Sequence, residues 1–152
     1  MQLSEVYLGL GEKNFGDLLK TVSMSRLRTY QLFDRVKTRC HLTKLNTEML
    51  RKASPRLWER LKGGDADLAS DLAQSVLVCH MDMITAVLDL LDVPHQDGFF
   101  DSNADLSSHL TEGWQQRVYS EFKDKFPQPV LLFYVNHLGW EVAKSETVFL
   151  PQ

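Results

Sequence analysis

The stretch Asp65-ADLASDLAQSVLVCHMDMITAVLDLL-Asp92 decides the fold. Drawn as a helix, it gathers its polar residues into one strip, and apolar residues fill most of the remaining circumference. Asp65 is a favourable N-cap residue, and Pro94 ends the pattern. A helix that is apolar over so wide an arc must be buried on several sides. We therefore predict a long central helix over about residues 66–92, about 40 Å long at 1.5 Å per residue.

The rest of the chain also carries helical patterns with clear boundaries. We predict an amphipathic helix at 24–39, a short helix capped by Asn46 and reaching residue 53, a helix from Ser54-Pro55 to Gly63-Gly64, and helices at 111–126 and 130–143. The run VLLFYV at 130–135 leaves a buried strand as the alternative there. The predicted fold is all-α: one domain over residues 1–152, a bundle in which the long helix is wrapped by about five shorter helices.

Composition sets the broad class. The chain has 152 residues, 43% of them hydrophobic and 24% charged, which excludes a disordered or collagen-like chain. Cys40 and Cys79 form no CxxC pair, and we see neither a signal peptide nor an apolar run near the ~20 residues of a membrane span. We expect a cytoplasmic protein without membrane contact. The glycines at 9–16 lack the residues that complete a nucleotide loop, so we expect no cofactor.

The charge distribution is the least average feature. Lys20 to Lys62 hold twelve Lys and Arg against three acids, a net of +9, whereas Gly63 to the C-terminus holds four against 14, a net of −10. Within the basic part, the candidate anion- or partner-binding residues are Arg28, Arg35, Arg39, Lys44, Arg51 and Lys52.

Such a basic block has three interpretations. It can be neutralised internally by the acidic strip of the long helix, or bind an acidic protein surface, or bind nucleic acid. Helices at 24–39 and 47–53 loosely suggest a helix-turn-helix, although the connection at 40–45 is long and has no glycine. We favour a non-catalytic binding or scaffolding module, homodimeric or partner-dependent, that uses the basic helical face at 20–62. Nucleic-acid binding by the same face is the alternative.

An acidic segment is similar in spacing to the calcium loop of an EF-hand. Asp101, Asn103, Asp105 and Glu112 occupy its positions 1, 3, 5 and 12. Leu106 stands where that loop needs glycine, which argues against a calcium site. We expect Asp101 or Asn103 to cap a short helix that ends near residue 110.

Histidines offer a second alternative function. His80 lies in the apolar arc of the long helix, and Tyr134, His137 and Glu141 follow one another at i, i+3 and i+7. If the two groups met, they would supply the side chains of a small enzyme or a metal site. We expect instead a hydrogen-bonded core histidine and an ordinary polar helix edge, because nothing in the sequence brings the two helices together. The chain contains no HExxH or GxSxG motif.

Overall fold

The computed structural model describes residues 1–101 and 103–152. The described residues form α-helices and no strand, with a single isolated bridge between Gln96 and Phe99, so the predicted all-α class is confirmed. The helices are α1 Leu3–Leu10, α2 Glu12–Lys20, α3 Met24–Thr29, α4 Phe33–Arg39, α5 Thr47–Lys62, α6 Ala66–Leu90, α7 Trp114–Phe122 and α8 Gln128–Val142.

The long helix α6 is confirmed. The Asp65 carboxylate caps it by accepting from the Leu68 N–H at 3.0 Å. The helix ends two residues before the predicted Asp92, which has a positive φ of 56°. A 3₁₀ turn at Val78–His80 interrupts its α-helical hydrogen bonding. Next to this turn, Ser75 donates to the Asp71 carbonyl at 2.6 Å, one of the side-chain bonds that compete with the helical ladder.

The chain divides into two compact units, Gln2–Cys79 and His80–Gln152 with Met1. The first unit contains α1–α5 and the start of α6, and the second contains the rest of α6 with α7 and α8. The organisation into one domain stays a prediction. The described part of the chain has seven helices besides α6, against about five predicted. Helices α1 and α2 were not predicted and the segment 24–39 is divided in two, whereas the two helices predicted between Asn46 and Gly63 form one, α5.

The prediction of one helix at 24–39 is wrong. Gln31 adopts a φ of 60°, which separates α3 from α4, and the Leu32 N–H then bonds to the Leu27 carbonyl at 2.7 Å. Leu27 is fully buried and Leu32 is 9% exposed, so the break places both side chains in the core. Burial of these two leucines offsets the cost of left-handed backbone at a non-glycine residue.

The predicted boundary between two helices at 53–54 is also wrong. Helix α5 runs from Thr47 to Lys62 with Pro55 inside it. Its buried Leu50 and Leu57 lie on either side of the proline and are fully buried, so packing holds the helix together although Pro55 lacks an N–H. The predicted ends are confirmed: the Asn46 side chain accepts from Met49 N at 2.8 Å, and Gly64 follows the helix with a φ of 80°.

In the second unit both predicted helices are present, and residues 130–135 are helical. Trp114, Val118 and Phe122 are buried along one face of α7, as their spacing predicts. Gly139 on α8 lies so close to α7 that a Cβ atom there would be 3.4 Å from the Trp114 ring. The Asn136 side chain bonds to both the N–H and the carbonyl of Phe149, which holds the C-terminal segment on α8.

Helix α6 is long and apolar enough, by length and composition alone, to cross a membrane. Its most apolar 18-residue window is 56% buried inside the protein, and the core helix of a soluble protein passes the same test. This helix does approach the length of a membrane span, contrary to the expectation from the sequence. By itself it is weak evidence that the protein spans a membrane.

Candidate functional site

The charge asymmetry follows the two structural units. Gln2–Cys79 contains 13 Lys and Arg against nine Asp and Glu, a net of +4, while His80–Gln152 contains four against 11, a net of −7. The basic block therefore belongs to a unit with its own acidic residues, and these decide how much of the positive charge is neutralised locally.

Half of the basic block is paired within its own unit. Of the twelve cations between Lys20 and Lys62, six have a carboxylate within 4.0 Å. These are Lys20, Arg35, Arg39, Lys52, Arg60 and Lys62. Internal neutralisation, the first interpretation of the sequence, thus accounts for half of the cations.

The strongest of these pairs involve one buried carboxylate. Asp71 on α6 is 2% exposed, and each of its oxygens receives a different guanidinium of α4. Arg35 Nη2 lies 2.6 Å from Oδ1, and Arg39 Nε lies 2.6 Å from Oδ2. Charge-assisted hydrogen bonds of this length are the strong ones. Arg35 and Arg39, predicted as binding residues, therefore fasten α4 to α6.

A cleft of about 470 Å³ lies beside the ion pairs of Asp71 with Arg35 and Arg39. It is lined by Asp34, Arg35, Thr38, Arg39, His41 and Arg60. Arg60 is committed as well, because its Nη2 bonds to Asp65 at 2.8 Å and its Nη1 to the Arg39 carbonyl at 2.8 Å. The hydrogen bond from Leu68 N, and then Arg60, lower the pKa of Asp65. The cleft contains three arginines, but each is paired with an aspartate: Arg35 and Arg39 with Asp71, and Arg60 with Asp65.

The other six cations of the basic block have no carboxylate within 4.0 Å among the described residues. We call them the unpaired cations: Arg26, Arg28, Lys37, Lys44, Arg51 and Arg56. Five are exposed and Lys37 is half-buried. Arg28 stacks over the Phe33 ring at 4.1 Å, and Arg56 donates to the Cys40 carbonyl at 2.6 Å. Of the predicted binding residues, Arg28, Lys44 and Arg51 thus have no carboxylate within 4.0 Å in the described part of the chain, whereas Arg35, Arg39 and Lys52 have one.

The helix-turn-helix resemblance loses its basis. It rested on helices at 24–39 and 47–53, and the structure has neither with those bounds. Helix α4 has only seven residues and is joined to α6 through Asp71. Arg28 also lies on a different helix from Arg35 and Arg39, so the three do not line one helix face.

The structure brings together part of the predicted histidine site. On α8, His137 Nδ1 lies 3.5 Å from Glu141 Oε2, and the Tyr134 hydroxyl is buried without a hydrogen-bond partner among the described residues. His80 is half-buried, and no described residue is a hydrogen-bond partner of its Nε2, in contrast to the hydrogen-bonded core histidine that we expected. Among the described residues no group of three or more His, Cys, Asp and Glu could hold a metal. His80 therefore forms no such site with His137 and Glu141.

Burial shifts the pKa values of this cluster in different directions: those of His137 and Tyr134 move away from neutral pH, and that of Glu141 moves toward it. Burial lowers the pKa of His137 to about 4, raises the pKa of Tyr134 far above its usual range and raises that of Glu141. An efficient general acid or base needs a pKa close to the working pH, and these shifts move histidine and tyrosine away from it. A neighbouring cavity of about 290 Å³ is lined by Glu141 and Trp140 among others, but neither His137 nor Tyr134 lines it.

The calcium-like segment uses its carboxylates locally. Asp101 Oδ1 accepts from Asn103 N at 2.9 Å, and Asp105 Oδ1 accepts from the Ser107 N–H and hydroxyl at 3.2 and 2.7 Å. These bonds to Ser107 lower the pKa of Asp105. A 3₁₀ turn at Ser107–His109 follows, so a short helix ends near Leu110 as expected. Asp105 supports this turn, in place of Asp101 or Asn103.

One feature of interest was missed in the sequence. Gln96 and Phe99 form a two-residue reverse turn, with Gln96 N to Phe99 O at 2.7 Å and Phe99 N to Gln96 O at 3.0 Å. Asp97 and Gly98 at its centre have φ angles of 53° and 92°. The dipeptide Asp-Gly is the usual signal for such a turn and was available in the sequence. Phe99 is 54% exposed at the end of this turn.

Comparison of the chain with models of protein families, with curated proteins and with solved structures finds no match.

Proposed function

We propose that the protein is a non-catalytic binding module whose unpaired cations bind an acidic segment of a protein partner. One observation carries this proposal: in the part of the chain that the structure describes, six cations between Arg26 and Arg56 lack a carboxylate within 4.0 Å, while every other cation of the basic block has one. Excess positive charge in one small unit is self-repelling, and an acidic partner relieves that repulsion.

The charge of the whole chain favours an acidic protein segment over nucleic acid. A DNA duplex carries about one negative charge per 1.7 Å and extends well beyond any single cationic surface. The chain as a whole has a net charge of −3, which disfavours binding of a long, densely charged anion. We expect a short acidic segment to need only a few of the unpaired cations. Nucleic-acid binding by the same residues is the second candidate.

Two variants with the same net charge test the proposal. The cation-neutralised variant is Arg28→Gln/Lys44→Gln/Arg51→Gln, which removes three unpaired cations. The paired-lysine control is Lys13→Gln/Lys52→Gln/Lys62→Gln, which removes three exposed lysines that already bind a carboxylate of their own helix. At about 0.5 kcal/mol per exposed charge contact, the first variant should lose about tenfold in affinity for an acidic partner.

The assay is fluorescence anisotropy with a labelled peptide of Asp and Glu, and in parallel with a labelled DNA duplex of the same total charge. We expect the wild-type chain to bind the peptide, with an affinity that falls as salt is raised. The cation-neutralised variant should bind it about tenfold more weakly, and the control within about twofold of wild type. Absence of peptide binding, or equal losses in both variants, would overturn the proposal. Tighter binding of the duplex than of the peptide would favour the nucleic-acid candidate instead.

A further inference from the structure

The turn at Gln96–Phe99 is held rigidly in the second unit. The Gly98 N–H donates to His95 Nδ1 at 3.0 Å, and His95 Nε2 lies 2.6 Å from Asp89 Oδ1 on α6. A single histidine thus connects the turn to the long helix through both of its ring nitrogens. Because the imidazole is bonded on both sides, its orientation and that of the turn are fixed together.

Gly98 packs directly against side chains of α6. It is buried, and a Cβ atom at this position would lie 2.6 Å from Met81 Cε and 3.3 Å from Ile84 Cγ2. Its φ of 92° also lies in the region that side chains rarely adopt. The positive φ strains any side chain at this position, and a Cβ atom would also lie tightly against Ile84. The local structure is built to hold the turn in one place.

The residue that this turn presents is an exposed phenylalanine. Phe99 is 54% exposed, and Leu150, at 58%, is the other large hydrophobic residue exposed in the described part of the chain. Aromatic residues in a fixed conformation are the usual anchors of protein interfaces, because little conformational entropy is lost when they bind. The turn therefore has the properties of a pre-organised interaction anchor.

The surroundings of Phe99 are acidic. Asp92, Asp97 and Asp101 are exposed, and among the described residues no Lys or Arg nitrogen lies within 4.0 Å of them. A partner that receives this turn must therefore combine positive charge with apolar surface for the ring. Arginine supplies both, since its guanidinium stacks on aromatic faces, as Arg28 does on Phe33 at 4.1 Å.

We propose that this partner is a second copy of the chain, whose unpaired cations receive the acidic turn around Phe99. The charges are complementary, since the unit with the cations has a net charge of +4 and the unit with the turn has −7. Each copy carries both surfaces, so the contact is heterologous, made by different surfaces of the two copies. This inference rests on the proposed function, because it names the acidic segment that the cations bind.

Sedimentation equilibrium at low salt tests the inference. We expect the wild-type mass to rise above the 17.5 kDa of the monomer as the concentration increases from about 1 to about 500 µM. The variant Phe99→Ser and the cation-neutralised variant should each remain monomeric over this range. Leu150→Ser, which removes the other exposed apolar side chain, and the paired-lysine control should associate like the wild type.

Mixing Phe99→Ser with the cation-neutralised variant is the decisive experiment. Phe99→Ser retains the cations, and the cation-neutralised variant retains the turn, so an equimolar mixture should form a 1:1 complex although neither variant associates alone. A wild-type chain that is monomeric at every concentration, a Phe99→Ser variant that associates like wild type, or a mixture that gives no complex overturns the inference. Peptide binding by that monomeric wild type would leave the proposed function standing, whereas its absence would remove both.

Discussion

Removing both cations from Asp71 should destabilise the protein strongly. The double substitution Arg35→Gln/Arg39→Gln leaves a carboxylate that is 2% exposed without either of its guanidiniums, which now lie 2.6 Å away. Breaking a fully buried ion pair costs about 3–5 kcal/mol. Only the carboxylate is buried here, since the Arg35 and Arg39 side chains are 52% and 37% exposed, so we expect a loss of about 2–4 kcal/mol. Single substitutions should cost less, about 1–2 kcal/mol, since the second arginine still compensates Asp71.

A third substitution separates the charge effect from the loss of contacts. Asp71→Asn in the background of the double variant removes the uncompensated charge and should recover about 2–3 kcal/mol. Asp71→Asn alone should destabilise the wild type, because two guanidiniums then lose their carboxylate. The substitution is therefore expected to change sign with its background, which is the signature of direct coupling between neighbouring residues.

Urea denaturation at pH 7, followed by circular dichroism, measures these differences. The midpoint should shift while the dependence on urea stays constant, as for a change in stability alone. Lys52→Gln/Lys62→Gln is the control, because it removes two exposed ion pairs and should cost less than about 1 kcal/mol in total. A loss below about 1 kcal/mol for the arginine double variant, or a further loss on adding Asp71→Asn, would refute the reasoning.

Three further predictions concern stability. The pKa of His137 is about 4, below the ordinary value of 6.5. The neutral imidazole therefore makes its full contribution to the free energy of unfolding above pH 6.5, and this contribution is lost as the pH falls toward 4. His137→Leu should therefore reduce the stability difference between pH 7 and pH 4 by about 3 kcal/mol in urea titrations, and an unchanged difference counts against a buried neutral imidazole. Gly98→Ala should cost about 1–2 kcal/mol, read as a lower melting temperature, because of its φ of 92° and the nearby Ile84; an unaltered melting curve contradicts this. Asp65→Ala should cost about 1–2 kcal/mol in thermal or urea denaturation, and Asp65→Ser, which can still cap α6, should recover most of it; equal losses would show that the cap is unimportant.

Local signals made much of the fold predictable. Asn46 and Asp65 cap the helices that the sequence assigned to them, because a cap depends on a few neighbouring residues. Pro55 misled the prediction, since its local cost is outweighed by leucines buried on both sides of it. The break at Gln31 has no local signal, because glutamine is not a residue that favours a positive φ.

The candidate site was predictable in composition and not in pairing. Counting charges identified the basic block, but only the fold shows that Arg35 and Arg39 converge on Asp71, 36 and 32 residues away in the sequence. Arg28 and Lys44 have no carboxylate within 4.0 Å among the described residues, and this too is visible only in the fold. Tertiary contacts thus divide the basic block into cations that are paired with a carboxylate and cations that are not.

Chemical-shift mapping with an acidic peptide locates the residues that bind it. Amide and side-chain resonances of the labelled protein are followed during titration with the peptide of Asp and Glu at low salt. We predict that the perturbed residues are the unpaired cations and their neighbours, while Arg35, Arg39 and Asp71 keep their shifts. Perturbations centred on the cleft beside Asp71, or no perturbation in the unit Gln2–Cys79, would contradict it.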